Sequence, residues 1–151
     1  MTALYVFIGI IVLLAVLVIS IFNKFVSNKN LVKDAWSNID VALKRRHDLI
    51  PNLVNTVKGY ATHEQETLSK VIEARTTAMS ASSGDINDQI KAENALQSTL
   101  RSLFAIAEAY PDLKANQNFL DLQQKLNEIE ENLERSRRYY NSTVRVNNTY
   151  G

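Results

Sequence analysis

The 151-residue sequence has no cysteine, two prolines, four glycines and two histidines. Without thiols there is no disulfide framework, no Cys-ligated zinc and no thiol catalysis. So few turn formers disfavour a many-stranded β fold. Neither sign of charge dominates. The 17 Lys+Arg against 16 Asp+Glu leave +1, which argues against a nucleic-acid binder with its strongly basic face. What remains is an α-helical, non-redox composition with room for one domain.

Charge is also absent from one long stretch. Nineteen residues, Leu4 to Phe22, carry none. As a helix they span roughly 28 Å, close to the hydrocarbon core of a bilayer. The stretch is apolar all round, and Leu4, Phe7, Ile11, Leu14, Leu17 and Phe22 are among its candidate membrane-spanning residues. A secretory signal needs a basic start and a small-residue cleavage site; Met1-Thr-Ala3 and Ser20-Ile-Phe22 supply neither. Residues 1–23 therefore read as an uncleaved, single-pass anchor and residues 24–151 as a helical domain. Lys24, Lys29 and Lys33 follow the span and no Lys or Arg precedes it. The positive-inside rule then places the N-terminus outside and the domain in the cytoplasm.

Beyond Lys24 apolar residues recur at helical spacing. The first stripe is Val32, Trp36, Ile39, Leu43, Ile50, Leu53, Val54 and Val57, and it keeps phase across Pro51. One long helix is expected, kinked there or restarted with proline in its first turn. Gly59 is expected to end it in the left-handed conformation, and Thr62-His-Glu-Gln65 to open the next helix as a capping box. That helix carries Leu68, Val71, Ile72, Ala78 and Met79. The third carries Ile86, Ile90, Leu96, Leu100, Leu103, Phe104 and Ala107 and breaks at Tyr110-Pro111. The fourth carries Phe119, Leu122, Leu126, Ile129, Leu133 and Tyr140 at near-heptad, coiled-coil spacing. Short connections make this an all-α, antiparallel up-and-down four-helix bundle with long first and fourth helices. The outer pair outruns the inner pair, which predicts a two-helix stalk joining residues 28–36 to 138–146.

Charge follows that plan. Residues 24–58 and 135–151 each sum to +4, and residues 59–134 to −7. Lys24, Lys29, Lys33, Arg138 and Arg145 form a candidate collar for an anionic membrane surface. Arg46 or His47 falls where the first apolar stripe skips a position. A buried Arg there needs a carboxylate from another helix. Glu128, Glu130, Glu131 and Glu134 read as a solvated face.

Catalytic patterns are missing. His63-Glu64 begins like a zincin motif, but Thr67 stands where the second histidine belongs. Neither a phosphate loop, a nucleophile elbow nor Glu-x-x-His pairs occur. No enzyme activity, cofactor or metal is expected.

The segment Ala35-Trp-Ser-Asn-Ile-Asp-Val-Ala-Leu-Lys-Arg-Arg-His-Asp-Leu-Ile-Pro-Asn-Leu-Val54 resembles the LemA family, as do Lys58-Gly-Tyr-Ala-Thr-His-Glu64 and Tyr110-Pro-Asp-Leu-Lys114. Ala74-Arg75, Phe119, Leu122-Gln123 and Arg138-Tyr-Tyr-Asn141 extend the likeness, and the pattern departs at Val146-Asn147. The resemblance implies a bacterial, membrane-anchored helical bundle without established enzymatic activity. A magnetosome membrane protein in the same family suggests membrane shaping or organisation. In the expected bundle, Lys58, Tyr60, His63, Glu64, Asp112 and Lys114 meet at a membrane-distal tip, either as helix joints or as a surface for a protein partner. The functional expectation is a self-associating structural component whose partners are the lipid bilayer and further copies of itself. A binding module presenting the tip is the alternative.

Overall fold

The computed structural model describes residues 2–150. Met1 and Gly151, the outer ends of the expected anchor and bundle domain, lie outside the described residues. The fold is all-α: α1 (Thr2–Lys58), α2 (Gln65–Ala81), α3 (Ile86–Ala107), the one-turn α4 (Pro111–Lys114) and α5 (Gln117–Tyr150), with no strand among the described residues. The chain forms two compact units, Met1–Val41 with Leu133–Gly151, and Ala42–Asn132.

The first unit contains the apolar half of α1. Leu4, Phe7, Ile11, Leu14, Leu17 and Phe22 are all exposed. This is the one helix among the described residues that is long and apolar enough to cross a membrane. Farther along, α1 packs on the last part of α5. Ala35, Ile39, Leu133 and Thr143 are buried, and the rings of Trp36 and Tyr140 lie 5.3 Å apart. Residues 28–36 and 138–146 thus meet, as the stalk expectation requires. Phe119, Leu122, Leu126, Leu133 and Thr143 are buried along α5, with Ile129, Ser136 and Tyr140 half-buried. These residues continue one heptad pattern through the helix.

The second unit holds the main core. Ile50, Leu53 and Val57 of α1 pack with Leu68 and Val71 of α2, Leu96, Leu100 and Leu103 of α3, Leu113 of α4, and Phe119 and Leu122 of α5. Phe104 and Phe119 meet edge to face at 6.0 Å. Two caps explain where helices begin. The Asp85 carboxylate accepts from Asn87 N–H at 2.7 Å to start α3, and the Asn116 side-chain oxygen accepts from Phe119 N–H at 3.0 Å to start α5. Pro111 opens α4, where a missing N–H costs nothing.

Several expectations need correction. Of the two alternatives at Pro51 the restart falls: α1 runs through it as one helix. No glycine among the described residues has positive φ, so Gly59 does not act through a left-handed turn. Instead Tyr60 N–H and Ala61 N–H both donate to the Val57 carbonyl, at 3.0 and 2.8 Å, and close the last turn. The capping box at Thr62–Gln65 does not form. The box needs Thr62 before the first turn and Gln65 as its third residue, but α2 starts at Gln65; Glu64 stands before it without a side-chain cap, and its carboxylate accepts from Tyr110 Oη–H. Ile72, Met79, Ile86 and Ile90 are 43–49% exposed. They lie at the margins of their helices' buried faces, where no neighbour covers them fully.

Candidate functional site

The polar heart of the second unit grows from Arg46, which is 1% exposed. It occupies a core position in α1, so its charge must be matched inside the protein. One guanidinium nitrogen donates to Glu130 Oε2 at 3.0 Å, and the other pairs with Glu93 Oε2 and donates to the Glu93 carbonyl at 3.4 Å. His47, the next residue, donates from Nε2 to the other Glu93 oxygen at 2.7 Å. A carboxylate only accepts, which fixes that ring proton. Glu130 Oε1 accepts from Gln97 Nε2 at 2.6 Å.

Burial of Glu93 pushes its carboxyl upward. The hydrogen bonds from His47 and Arg46, with the Arg46 charge, outweigh burial and hold it below the ordinary carboxylate value. The expected buried arginine with a carboxylate from another helix is therefore present. Glu130 is not merely solvated, since it is the second partner. Glu93 was the signal left unread: it stands in the 3–4 rhythm of Leu96, Leu100 and Leu103, where only a core position would recur.

A second polar group surrounds the loops that end α1 and precede α5. Tyr110 Oη–H donates to Glu64 Oε1 at 3.0 Å, Asn116 Nδ2 donates to Tyr60 Oη at 2.9 Å, and Asn118 Nδ2 donates to Thr56 Oγ1 at 3.0 Å. The hydrogen bond to Glu64, with burial, raises the Tyr110 phenol above its ordinary value. Of the expected tip residues, Tyr60 and Glu64 enter this network, and Lys114 pairs with Glu108 at 2.5 Å. Lys58, His63 and Asp112 are exposed and make no side-chain hydrogen bond or ion pair among the described residues. Tyr110, which opens the Tyr110-Pro-Asp-Leu-Lys114 segment, belongs with the group, as do Asn116 and Asn118, which carried no motif that would have marked them.

The expected collar residues Lys24, Lys29, Lys33, Arg138 and Arg145 are exposed in the first unit. Arg138 lies 3.8 Å from Glu134. No group of three or more His, Asp or Glu side chains suited to a metal occurs among the described residues.

The chain is 29% identical over 119 residues to Protein LemA of Metamycoplasma hominis; the match covers 79% of this chain and 54% of the relative, so the chain spans about half of that protein's length. The LemA family profile matches residues 35–151, which takes in Arg46, His47, Glu93, Glu130 and the whole tip. On that match over most of its length, the chain belongs to the LemA family.

Proposed function

We propose that this chain is a non-enzymatic, single-pass membrane protein that self-associates as a structural or membrane-organising component. The observation that carries the reading is the apolar start of α1, none of which is buried within the chain. Nineteen uncharged residues with no covering neighbour need an apolar medium, and a bilayer provides one. Lys24, Lys29 and Lys33 favour a cytoplasmic domain and an outer N-terminus in a bacterial inner membrane.

The domain itself reads as an antiparallel four-helix bundle, with α4 as a joint. Arg46 meets Glu130 and Thr56 meets Asn118, so α5 retreats as α1 advances. Self-association is supported by apolar side chains outside the anchor that the chain leaves exposed, among them Leu31, Val41, Tyr139 and Val146. Its polar cluster is spent on internal pairing, which favours a structural role over catalysis.

The cysteine-free sequence makes a direct test available. A single cysteine at Thr2 should react with an impermeant maleimide from outside the cell, and one at Ser27 only after the membrane is opened. The detergent-solubilised chain should then run as a uniform oligomer. A soluble chain would overturn the anchor, and a monomer the self-association. A second reading, a protein-binding tip, draws on the exposed Lys58, His63 and Asp112 beside the fixed Tyr60. Alanine at Tyr60 or His63 that abolishes an interaction while preserving the fold would favour it.

A further inference from the structure

Within the second unit, α1, α3 and α5 enclose a cleft of about 140 Å³. Its apolar surface is Leu100 and Leu126, both buried, and the half-buried Phe104; Arg101 and Asn127 stand at its exposed side. Arg46 forms part of the wall, and its Nε–H is buried with no acceptor among the described residues. Glu130 also lines the cleft, but both of its oxygens are engaged, one by Arg46 and one by Gln97. Arg101 makes no hydrogen bond or ion pair among the described residues. Arg46 is matched by Glu93 and Glu130, so the unmatched charge lining the cleft is that of Arg101. The uncommitted donors in the lining are the Arg46 Nε–H, the Arg101 guanidinium and the Asn127 amide.

We propose that this cleft binds a small carboxylate carrying a short alkyl chain. The carboxylate accepts from the Arg101 guanidinium and the Asn127 amide. The hydrocarbon covers Leu100, Phe104 and Leu126, removing apolar surface from water. The volume sets the size, because a cavity of about 150 Å³ holds benzene, a body of about six heavy atoms. Butyrate has that size.

The test uses the full-length protein in lipid nanodiscs, with butyrate titrated and followed by ligand-observed NMR. Saturable binding is expected, with n-butylamine failing to compete. Arg101→Glu should weaken butyrate at least about tenfold, and Arg101→Lys should retain most of the affinity. Arg101 is exposed, so neither change should move the melting temperature. Three results would overturn the proposal: no saturable binding, equal binding of n-butylamine, or butyrate binding indifferent to Arg101→Glu. Partition into the bilayer would give that last pattern.

Discussion

Arg75 of α2 donates its Nε–H to the backbone carbonyl of His47 at 2.8 Å. That carbonyl lies four residues before Pro51, so it is the acceptor that proline cannot serve. The guanidinium thus stands in for the missing amide and lets α1 continue through Pro51. Two residues far apart in sequence become one device, a proline inside a helix and an arginine on a neighbour that completes its hydrogen bonding.

The two should be coupled. Arg75→Met is expected to cost about 1 kcal/mol with Pro51 in place, the net worth of one hydrogen bond. In a Pro51→Ala background the alanine amide can serve His47, and the same change should cost close to nothing. A double-mutant cycle on thermal unfolding of the solubilised chain measures this; equal costs in both backgrounds would disprove the substitution of donor for amide.

Glu93 should govern the acid limit of stability. Its carboxyl is held below the ordinary value of 4.5, so its contribution is complete above that value and is lost as pH falls through the lower folded value. Glu93→Ala leaves Arg46 buried with one partner fewer and should cost about 3–5 kcal/mol. Arg46→Met combined with Glu93→Leu should recover much of that loss and flatten the fall in melting temperature below about pH 4.5. An unchanged acid profile in the double variant would assign the pH dependence to other carboxylates.

Apolar periodicity made the helical class and the long outer helices legible, because burial imposes a helical rhythm on sequence, and helix lengths brought residues 28–36 to 138–146. Arg46 was legible as an interruption of that rhythm. Its partner was not: Glu93 shares a core register with leucines, and sequence alone does not say which carboxylate lies opposite. The helix ends resisted for a different reason. Thr62 and Gln65 have the residue types and spacing of a capping box, yet α2 starts only at Gln65, and Glu64 before it makes no side-chain cap but accepts from Tyr110, 46 residues away. A helix that starts this late leaves Thr62 outside its cap position. Gly59 failed likewise, since two amides on the Val57 carbonyl close the turn without positive φ.

Met79 and Ile90 test whether exposed apolar margins serve association. Each is more than 40% exposed, so Met79→Glu with Ile90→Glu should leave unfolding within about 0.5 kcal/mol of the parent. If copies of the chain meet there, the detergent-solubilised mass should fall toward that of a monomer. An unchanged mass would move the interface elsewhere, with Tyr139 and Val146 the next exposed side chains to alter.

The basic residues after the span carry a prediction about orientation. Topology follows the Lys and Arg flanking a span, and here all the bias comes from the side after it. Lys24→Gln, Lys29→Gln and Lys33→Gln together remove the three nearest charges and should give mixed orientations, read by labelling a cysteine at Thr2. Arg138→Gln with Arg145→Gln is the control. These lie more than a hundred residues beyond the span, outside the range over which flanking charge directs insertion. They should leave orientation fixed. Their loss should lower only the affinity for anionic vesicles, by about 1 kcal/mol for each residue that reaches the surface. If both sets behave alike, the collar acts as a single electrostatic patch and the positive-inside reading of Lys24, Lys29 and Lys33 fails.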